Sequence, residues 1–265
     1  MTDAFDIEPH VEDITRLVES CSRRALDWYR RPMRVDNKHR DGFDPVTEAD
    51  RAVEDLLRAG LADRFPDHAV VGEERGTTGG GAVTWVIDPI DGTRAFIVGH
   101  PQWGTLLGLV IDGRPVAGWM RQPVIDETHL ATPSGGARLI AADHVRTLRT
   151  RPTTRLGDAI MAATHPEMFA VGDERDRYNR LVPRVRMTRY GGDCANYGLL
   201  AEGHLDLVVE AGLAAYDVVA LIPIVTGAGG VMTDLDGRPP TGGGFVVAAA
   251  TPELHAAALE VLRED

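Results

Sequence analysis

Apolar residues near the start of the chain recur at spacings of three and four, the pattern of a helix with one buried face. A first amphipathic helix is predicted from Pro9 to about Trp28, with the face Val11, Ile14, Leu17, Val18, Cys21 and Ala25. A polar segment at 36–44 follows. Thr47 and Asp50 have the spacing of a capping box, which predicts that a second helix begins there. Its predicted face is Ala52, Val53, Leu56, Leu57 and Leu61.

Short apolar runs follow the second helix, and they predict β-strands. The predicted strands cover residues 69–71, 84–87, 104–111, 115–120 and 126–131. A glycine-rich turn is predicted at 76–81. Asp112-Gly113 separates the third and fourth runs and is a strong signal for a hairpin.

In the second half of the chain, strand-like and helix-like segments alternate. Strands are predicted at 159–163, 184–190, 205–209, 230–233 and 245–250, and helices near 174–182, 194–203, 217–227 and 252–263. This alternation indicates an α/β layer, so the fold class is α/β (α+β). We place a boundary near Ser134 to Ala137, which gives an N-terminal α+β half at 1–136 and a C-terminal α/β half at 137–265.

The charge balance excludes several classes of partner. Lys and Arg number 28 against 40 Asp and Glu, for a formal net charge of -12, without a basic cluster. Nucleic acid and anionic membranes are therefore not expected as partners. The two cysteines favour reduced thiols over a disulfide framework. Residues 1–10 lack the apolar core of a secretion signal and no run is long enough to span a membrane, so a cytoplasmic protein is expected.

The segment from Trp85 to Thr93 carries the most informative chemistry. A buried strand ends at Asp88, Pro89 stiffens the exit, and Asp91 follows three residues after Asp88. Two carboxylates then lie beside the backbone N–H groups of a Gly-Thr turn, a combination that can hold a divalent cation and a phosphate. An Asp-Pro turn followed by an aspartate N-cap would give the same sequence without any function.

Three further carboxylates occupy strand ends and helix starts. Glu73 follows a strand in Gly72-Glu73-Glu74, Asp50 lies in the helix start Asp44-Pro-Val-Thr47-Glu-Ala-Asp50, and Asp217 stands at the head of an apolar helix. Each has an ordinary explanation: solvated surface glutamates for the first and helix capping for the other two. The order of all four motifs along the chain is what makes them informative together.

This order resembles the inositol monophosphatase family, from the Thr47 helix to the strand at 245–250. The resemblance implies a layered α/β/α/β/α sandwich, often a homodimer, that hydrolyses a small phosphate ester with two or three Mg²⁺ ions. The implied metal ligands are Glu73, Asp88, the Ile90 carbonyl, Asp91 and Asp217. Glu73, Thr93 and Asp50 are similar to the groups that hold and activate the attacking water. An all-oxygen ligand set suits magnesium, and no His/Cys set for zinc is visible among the nine histidines and two cysteines.

Departures from the inositol phosphatase pattern point to the substrate. Arg94 follows Thr93, and Asp193 stands where inositol enzymes tend to have a small neutral residue. Asp193 and Glu210 would make the leaving-group side of the pocket acidic, which suits the cationic histidinol better than the neutral inositol. The candidate substrate-binding residues are Asp91, Gly92, Thr93, Arg94, Gly192, Asp193, Glu210 and Asp217.

The patterns around Arg94 and Asp193 resemble the histidinol-phosphate phosphatase branch, so L-histidinol phosphate is the expected substrate. Asp193 could instead be a helix N-cap, and Arg94 a surface arginine. Alternative substrates are inositol 1-phosphate, a sugar phosphate or a phosphoadenosine nucleotide. A catalytically silent scaffold or regulatory protein on the same fold is a more remote alternative, since the carboxylate set is complete.

Overall fold

A computed structural model of the protein describes residues 5–32, 34–37 and 45–264. Asp44 and most of the polar segment predicted at 36–44 lie outside these residues. The α-helices are α1 Val11–Arg23, α2 Glu48–Arg64, α3 Thr93–Ile97, α4 Asp173–Leu181, α5 Cys194–Ala201, α6 Ala215–Val218, α7 Leu221–Gly227 and α8 Pro252–Arg263. The strands are β1 Val35–Asn37, β2 Pro45–Thr47, β3 Ala69–Gly72, β4 Gly76–Thr78, β5 Val83–Asp91, β6 Gly104–Ile111, β7 Arg114–Gln122, β8 Glu127–Thr132, β9 Gly136–Ile140, β10 Val145–Thr147, β11 Ile160–Ala163, β12 Met187–Tyr190, β13 Leu207–Leu213, β14 Val231–Thr233 and β15 Gly244–Ala249.

The larger sheet has eight strands in the order β10-β9-β8-β7-β6-β5-β3-β4. Neighbouring strands in this sheet are antiparallel, except for β3 and β5, which run parallel. The predicted hairpin at Asp112-Gly113 is confirmed, because β6 and β7 pair on either side of it. The ends of β3 and β5 therefore meet at one edge of the sheet.

The smaller sheet has five strands in the order β12-β11-β13-β15-β14. The strands β12, β11 and β13 are parallel, whereas β15 runs antiparallel to both of its neighbours. The parallel strands end on one edge, which is where a ligand site is expected in such a sheet.

Three buried apolar clusters show how the layers stack. One face of the large sheet, including Trp85 and Ile87, packs against α1 and α2. The other face, including Val86, packs against α5, α6 and α7, which also cover one face of the small sheet. The far face of the small sheet packs against α4 and α8. This order of layers confirms the α/β/α/β/α sandwich.

Several predicted elements differ in detail from those observed. The capping box at Thr47 and Asp50 is confirmed. Leu56 was predicted on the buried face of α2 but is 44% exposed. The glycine-rich turn at 76–81 contains the short strand β4, and the single helix predicted at 217–227 is divided into α6 and α7. Strands β9 and β10 were not predicted.

The change from one sheet to the other falls between β10 and β11. The proposed division at 136 and 137 lies within the large sheet, and the middle helices pack against both sheets in one cluster. The division into two halves stays a prediction.

Among the residues that the structure describes, no helix is long and apolar enough to cross a membrane.

Candidate metal and substrate site

A cavity of about 1120 Å³ opens where the ends of the parallel strands of both sheets face one another. All but one of the predicted site residues line it: Glu73, Asp88, Ile90, Asp91, Gly92, Thr93, Arg94, Gly192, Asp193, Glu210 and Asp217. Asp50 is the exception. The structure thus brings together motifs that are more than a hundred residues apart in the sequence.

The carboxylates of Asp88, Asp91 and Asp217 form the centre of the site, with one oxygen of each within 4.8 Å of the others. Asp88 and Asp91 are the last part of β5, where the pairing with β6 shifts register between them. Asp217 was predicted at a helix N-cap, but Ala214 takes that position. The Asp217 carboxylate instead accepts a hydrogen bond from the Ala214 N–H at 2.7 Å, which holds it at the start of α6.

Burial raises the pKa of both the Asp88 and the Asp91 carboxyl groups well above their usual range. Repulsion from neighbouring carboxylates adds to this effect, with Glu73, Asp91 and Asp217 acting on Asp88. Asp88 Oδ1 is buried and has no hydrogen-bond partner among the described residues. A buried cluster of acceptors with too few donors fits a divalent cation with oxygen ligands, which would relieve both the repulsion and the unmet acceptor.

Glu73 lies in the turn between β3 and β4, beside Asp88. The Asp88 pKa is raised further by a side-chain hydrogen bond between the two carboxyl groups. The Glu73 N–H donates to the Ile87 carbonyl at 3.2 Å, so its backbone is fixed to β5. Glu73 is half-buried at the edge of the cluster. It is therefore not the fully solvated surface glutamate that the alternative interpretation of the sequence described.

The Gly92-Thr93 turn joins the cluster to the opposite wall of the cavity. Gly92 has a φ of 85°, and a Cβ there would lie 3.2 Å from the Asp193 Cβ, so a side chain would crowd the site. The Thr93 hydroxyl donates to the Ile90 carbonyl at 3.0 Å. Both residues predicted to receive the phosphate thus lie at the start of α3 and face the cavity.

Asp50 is 1% exposed and lies behind the cavity wall. Its carboxylate accepts hydrogen bonds from the backbone and the hydroxyl of Thr47. Burial is the main cause that raises the Asp50 pKa to about 7, and the charges of Glu73 and Glu74 contribute. Among the described residues, the hydrogen bonds of Asp50 and Thr93 do not join the two, so their predicted relay stays a prediction.

Glu210 is a buried acidic residue that lines the cavity. Its Oε1 accepts from the Thr164 N–H at 2.9 Å and the Thr164 hydroxyl at 2.6 Å, and its Oε2 accepts from the Tyr197 hydroxyl at 3.0 Å. Burial outweighs these donors and raises the Glu210 pKa to about 7. The sequence reasoning missed Thr164 and Tyr197, which share no motif with Glu210.

Asp193 occupies the N-cap position of α5, but its carboxylate makes no capping hydrogen bond. The Asp91 carboxylate does so instead, because it accepts from the Cys194 N–H at 2.8 Å. The Asp193 backbone has a φ of 46°, an uncommon value for a residue other than glycine. Burial raises the Asp193 pKa to about 6, against the opposing effect of Arg94 and His100. The Asp193 side chain therefore does not cap α5, and it lines the cavity.

Gly192 and Arg94 also line the cavity. Gly192 has a φ of 127°, and a Cβ there would lie 2.2 Å from Asn196 Oδ1, so a side chain at this position would be strained. Arg94 is exposed at the rim, and its guanidinium lies 3.2 Å from His165 Nε2. His165 is half-buried and also lines the cavity.

Comparison with known proteins agrees with the fold and the site. The family model described as the inositol monophosphatase family matches residues 11–265. A histidinol-phosphatase from Streptomyces coelicolor is 37% identical over 247 residues, which cover 90% of this chain and 91% of that protein. The bifunctional phosphatase IMPL2 from Arabidopsis thaliana is 36% identical over 258 residues, which cover 93% of this chain and 72% of that protein.

A solved structure of an inositol monophosphatase from Zymomonas mobilis superimposes with a TM-score of 0.86. It is 38% identical, and the match covers 98% of this chain and all of that one (100%). The family match extends over nearly the whole chain, and the carboxylate motifs converge on one cavity in a fold of the same kind. The chain therefore belongs to the inositol monophosphatase family and is a phosphatase of that family.

Proposed function

We propose that the protein is a Mg²⁺-dependent phosphomonoesterase that hydrolyses L-histidinol phosphate to L-histidinol and phosphate, a step of histidine biosynthesis. The observation that supports this most directly is the pair of acids, Asp193 and Glu210, on the cavity wall that faces the carboxylate cluster. The similarity to a histidinol-phosphatase of Streptomyces coelicolor supports the same substrate.

Electrostatics favours a cationic leaving group at this wall. Burial raises the pKa of Asp193 to about 6, although Arg94 and His100 partly offset it, and raises the pKa of Glu210 to about 7. Within the described part of the chain, the hydrogen bonds to Glu210 come only from the neutral groups of Thr164 and Tyr197. A cation bound at this wall would therefore stabilise both carboxylates. Histidinol carries an ammonium and an imidazole, and both can donate charge-assisted hydrogen bonds to carboxylates. A neutral polyol cannot supply that charge.

Mg²⁺ would be held by Glu73, Asp88, Asp91, Asp217 and the Ile90 carbonyl, and would lower the pKa of a water and screen the phosphate charge. The chain's own groups perform the remaining tasks. The backbone N–H groups of Gly92 and Thr93 orient the phosphate, and the Thr93 hydroxyl and Glu73 hold the attacking water. Asp50, which lies behind the cavity wall, takes the proton of that water through the Thr93 hydroxyl as the oxygen of the water bonds to phosphorus. The bond between phosphorus and the histidinol oxygen breaks, and the released alkoxide takes a proton from solvent water. Asp50 returns its proton to solvent before the next turnover.

Inositol 1-phosphate is the second candidate substrate. The similarity to an inositol monophosphatase from Zymomonas mobilis supports it, because that protein has 38% identity to this chain. Glu210 could accept hydrogen bonds from sugar hydroxyls as well as from a cation. A silent scaffold is less well supported, since every predicted metal ligand lines the cavity.

The test is a comparison of kcat/KM for histidinol phosphate, inositol 1-phosphate and a simple aryl phosphate, each with Mg²⁺ and with excess chelator. We expect the highest value for histidinol phosphate and a complete loss in chelator. A higher value for inositol 1-phosphate would reject the substrate. Turnover that continues in chelator would reject the metal-dependent reaction.

A further inference from the structure

The turn that carries Glu73 rests on a buried ion pair outside the cavity. Residues 73–75 connect β3 to β4, and α2 passes beside them. Asp50, Glu54 and Arg58 follow one another at intervals of four along α2, so they lie on one face of that helix. Burial raises the Asp50 pKa, and Glu73 lies near enough for its charge to raise that pKa further. The next two residues contact the turn and the start of β4.

Glu54 is completely buried, with 0% exposure, and its carboxylate accepts hydrogen bonds from the turn backbone. Its Oε2 accepts from the Glu74 N–H at 2.7 Å, and its Oε1 accepts from the Arg75 N–H at 3.1 Å. A Cβ at Gly72 would lie 2.1 Å from Glu54 Oε1, so the strand end is packed directly on the carboxylate. The Glu54 side chain therefore bonds to the backbone that follows Glu73 and packs against the residue that precedes it.

Arg58 completes the arrangement. Its Nε donates to Glu54 Oε1 at 2.7 Å, and its side chain is 13% exposed. Its terminal nitrogens donate to the Gly76 carbonyl and, at 3.1 Å, to the Thr78 hydroxyl, both in β4. The arginine thus neutralises the buried carboxylate and ties it to the strand that leaves the turn.

We propose that Glu54 is a positioning residue for the metal site, which sets the backbone of the Glu73 turn, and that Arg58 holds Glu54 in place. Glu54 does not line the cavity, so it acts only through the turn. A charged acceptor is required because two adjacent N–H groups point at one buried side chain, and an amide would present a donor to one of them. The functional part of this inference rests on the proposed role of Glu73 as a metal ligand.

The primary test is Glu54→Gln, with Arg75→Gln as the matched control. Arg75 lies in the same turn, but its side chain pairs with Asp55 on the surface. In Glu54→Gln we expect Mg²⁺ binding, measured by calorimetry, and the Mg²⁺ concentration for half-maximal activity to weaken at least tenfold. The KM for the phosphate ester at saturating Mg²⁺ should stay within about twofold, and Arg75→Gln should match the wild type.

Amide hydrogen exchange in metal-free protein gives a second, independent readout. We expect faster exchange at Glu74 and Arg75 in Glu54→Gln than in either the wild type or Arg75→Gln. A wild-type protein that binds no Mg²⁺, together with faster exchange in Glu54→Gln, would reject Glu73 as a metal ligand and would support the positioning of the turn by Glu54. Unchanged exchange in Glu54→Gln overturns the proposal.

The double variant Glu54→Met/Arg58→Met covers the case in which Glu54→Gln does not fold. Replacing both partners of a buried ion pair with apolar residues is often close to neutral for stability, whereas removal of one partner is costly. We expect the double variant to fold and to retain the weakened Mg²⁺ binding and the faster exchange. Mg²⁺ affinity and exchange rates equal to those of the wild type would refute the positioning role.

Discussion

The sharpest test of the substrate is Glu210→Gln, because the structure shows which contacts this change keeps. The glutamine oxygen can face Thr164 and accept from both its N–H and its hydroxyl, as Oε1 of the glutamate does. The amide nitrogen then faces the Tyr197 hydroxyl, which can rotate to accept instead of donating. The variant should therefore fold with little loss of stability, while the negative charge disappears.

The expected magnitude follows from the number of acceptor positions. A carboxylate has about four, and Thr164 and Tyr197 use three of them. About one position remains for the ligand, so the substitution removes about one charge-assisted hydrogen bond. Such a bond contributes roughly 1.5–3 kcal/mol, which corresponds to a loss of about tenfold to a hundredfold in kcat/KM.

The measurement is the ratio of kcat/KM for histidinol phosphate to that for a simple aryl phosphate, in the wild type and in Glu210→Gln. The control is Asp206→Asn, a change at a buried carboxylate that accepts from the Ile160 N–H at 2.8 Å and lies outside the cavity lining. The ratio should fall about tenfold to a hundredfold in Glu210→Gln and remain unchanged in Asp206→Asn. An unchanged ratio in Glu210→Gln would refute the role of its charge, and Asp193→Asn would then test the second acid alone.

Three further predictions concern the reaction centre. Asp88→Asn should lower kcat by several orders of magnitude without unfolding the protein; activity near that of the wild type would contradict the proposed ligand set. Thr93→Ala and Asp50→Asn should each reduce kcat strongly, with the double variant little worse than either, whereas multiplicative losses would show independent action. In chelator, the unfolding temperature should fall from pH 5 to pH 8. The pKa values of Asp88 and Asp91 are raised in the folded state, so the folded state binds protons more tightly than the unfolded chain and loses stability as the pH rises. That decrease should be smaller in Asp88→Asn, and an equal decrease would argue against the cluster as its source.

Much of the fold was predictable because its signals are local. The Thr47 capping box, the Asp112-Gly113 hairpin and the alternation in the second half each depend on neighbouring residues, and each is confirmed. Leu56 shows where local periodicity fails. It lies one residue before Leu57, which is fully buried, yet it faces solvent because α2 covers the sheet with a narrower face than the sequence suggests.

The site residues that belong to sequence motifs were predictable. The residues that reach the site only through long-range packing were missed. Asp88 and Asp91 share one segment, so the sequence reveals them together. Thr164 follows β11 in an unremarkable segment, and it meets Glu210, 46 residues away, because β11 and β13 are adjacent. The Glu54 contacts with the Glu73 turn arise in the same way, through the packing of α2 against the sheet.

The hydrogen bond from the Cys194 N–H to Asp91 has an evolutionary consequence. The Asp91 carboxylate belongs to the proposed metal site and also caps the start of α5, the helix that carries Tyr197. Because Asp91 is a proposed metal ligand, a shift of α5 that accommodates a new substrate would also disturb the proposed metal site. We therefore expect new selectivity to arise from side-chain substitutions at positions such as Arg94 and Asp193, without movement of the helix. Protein engineers who redesign this pocket face the same restriction.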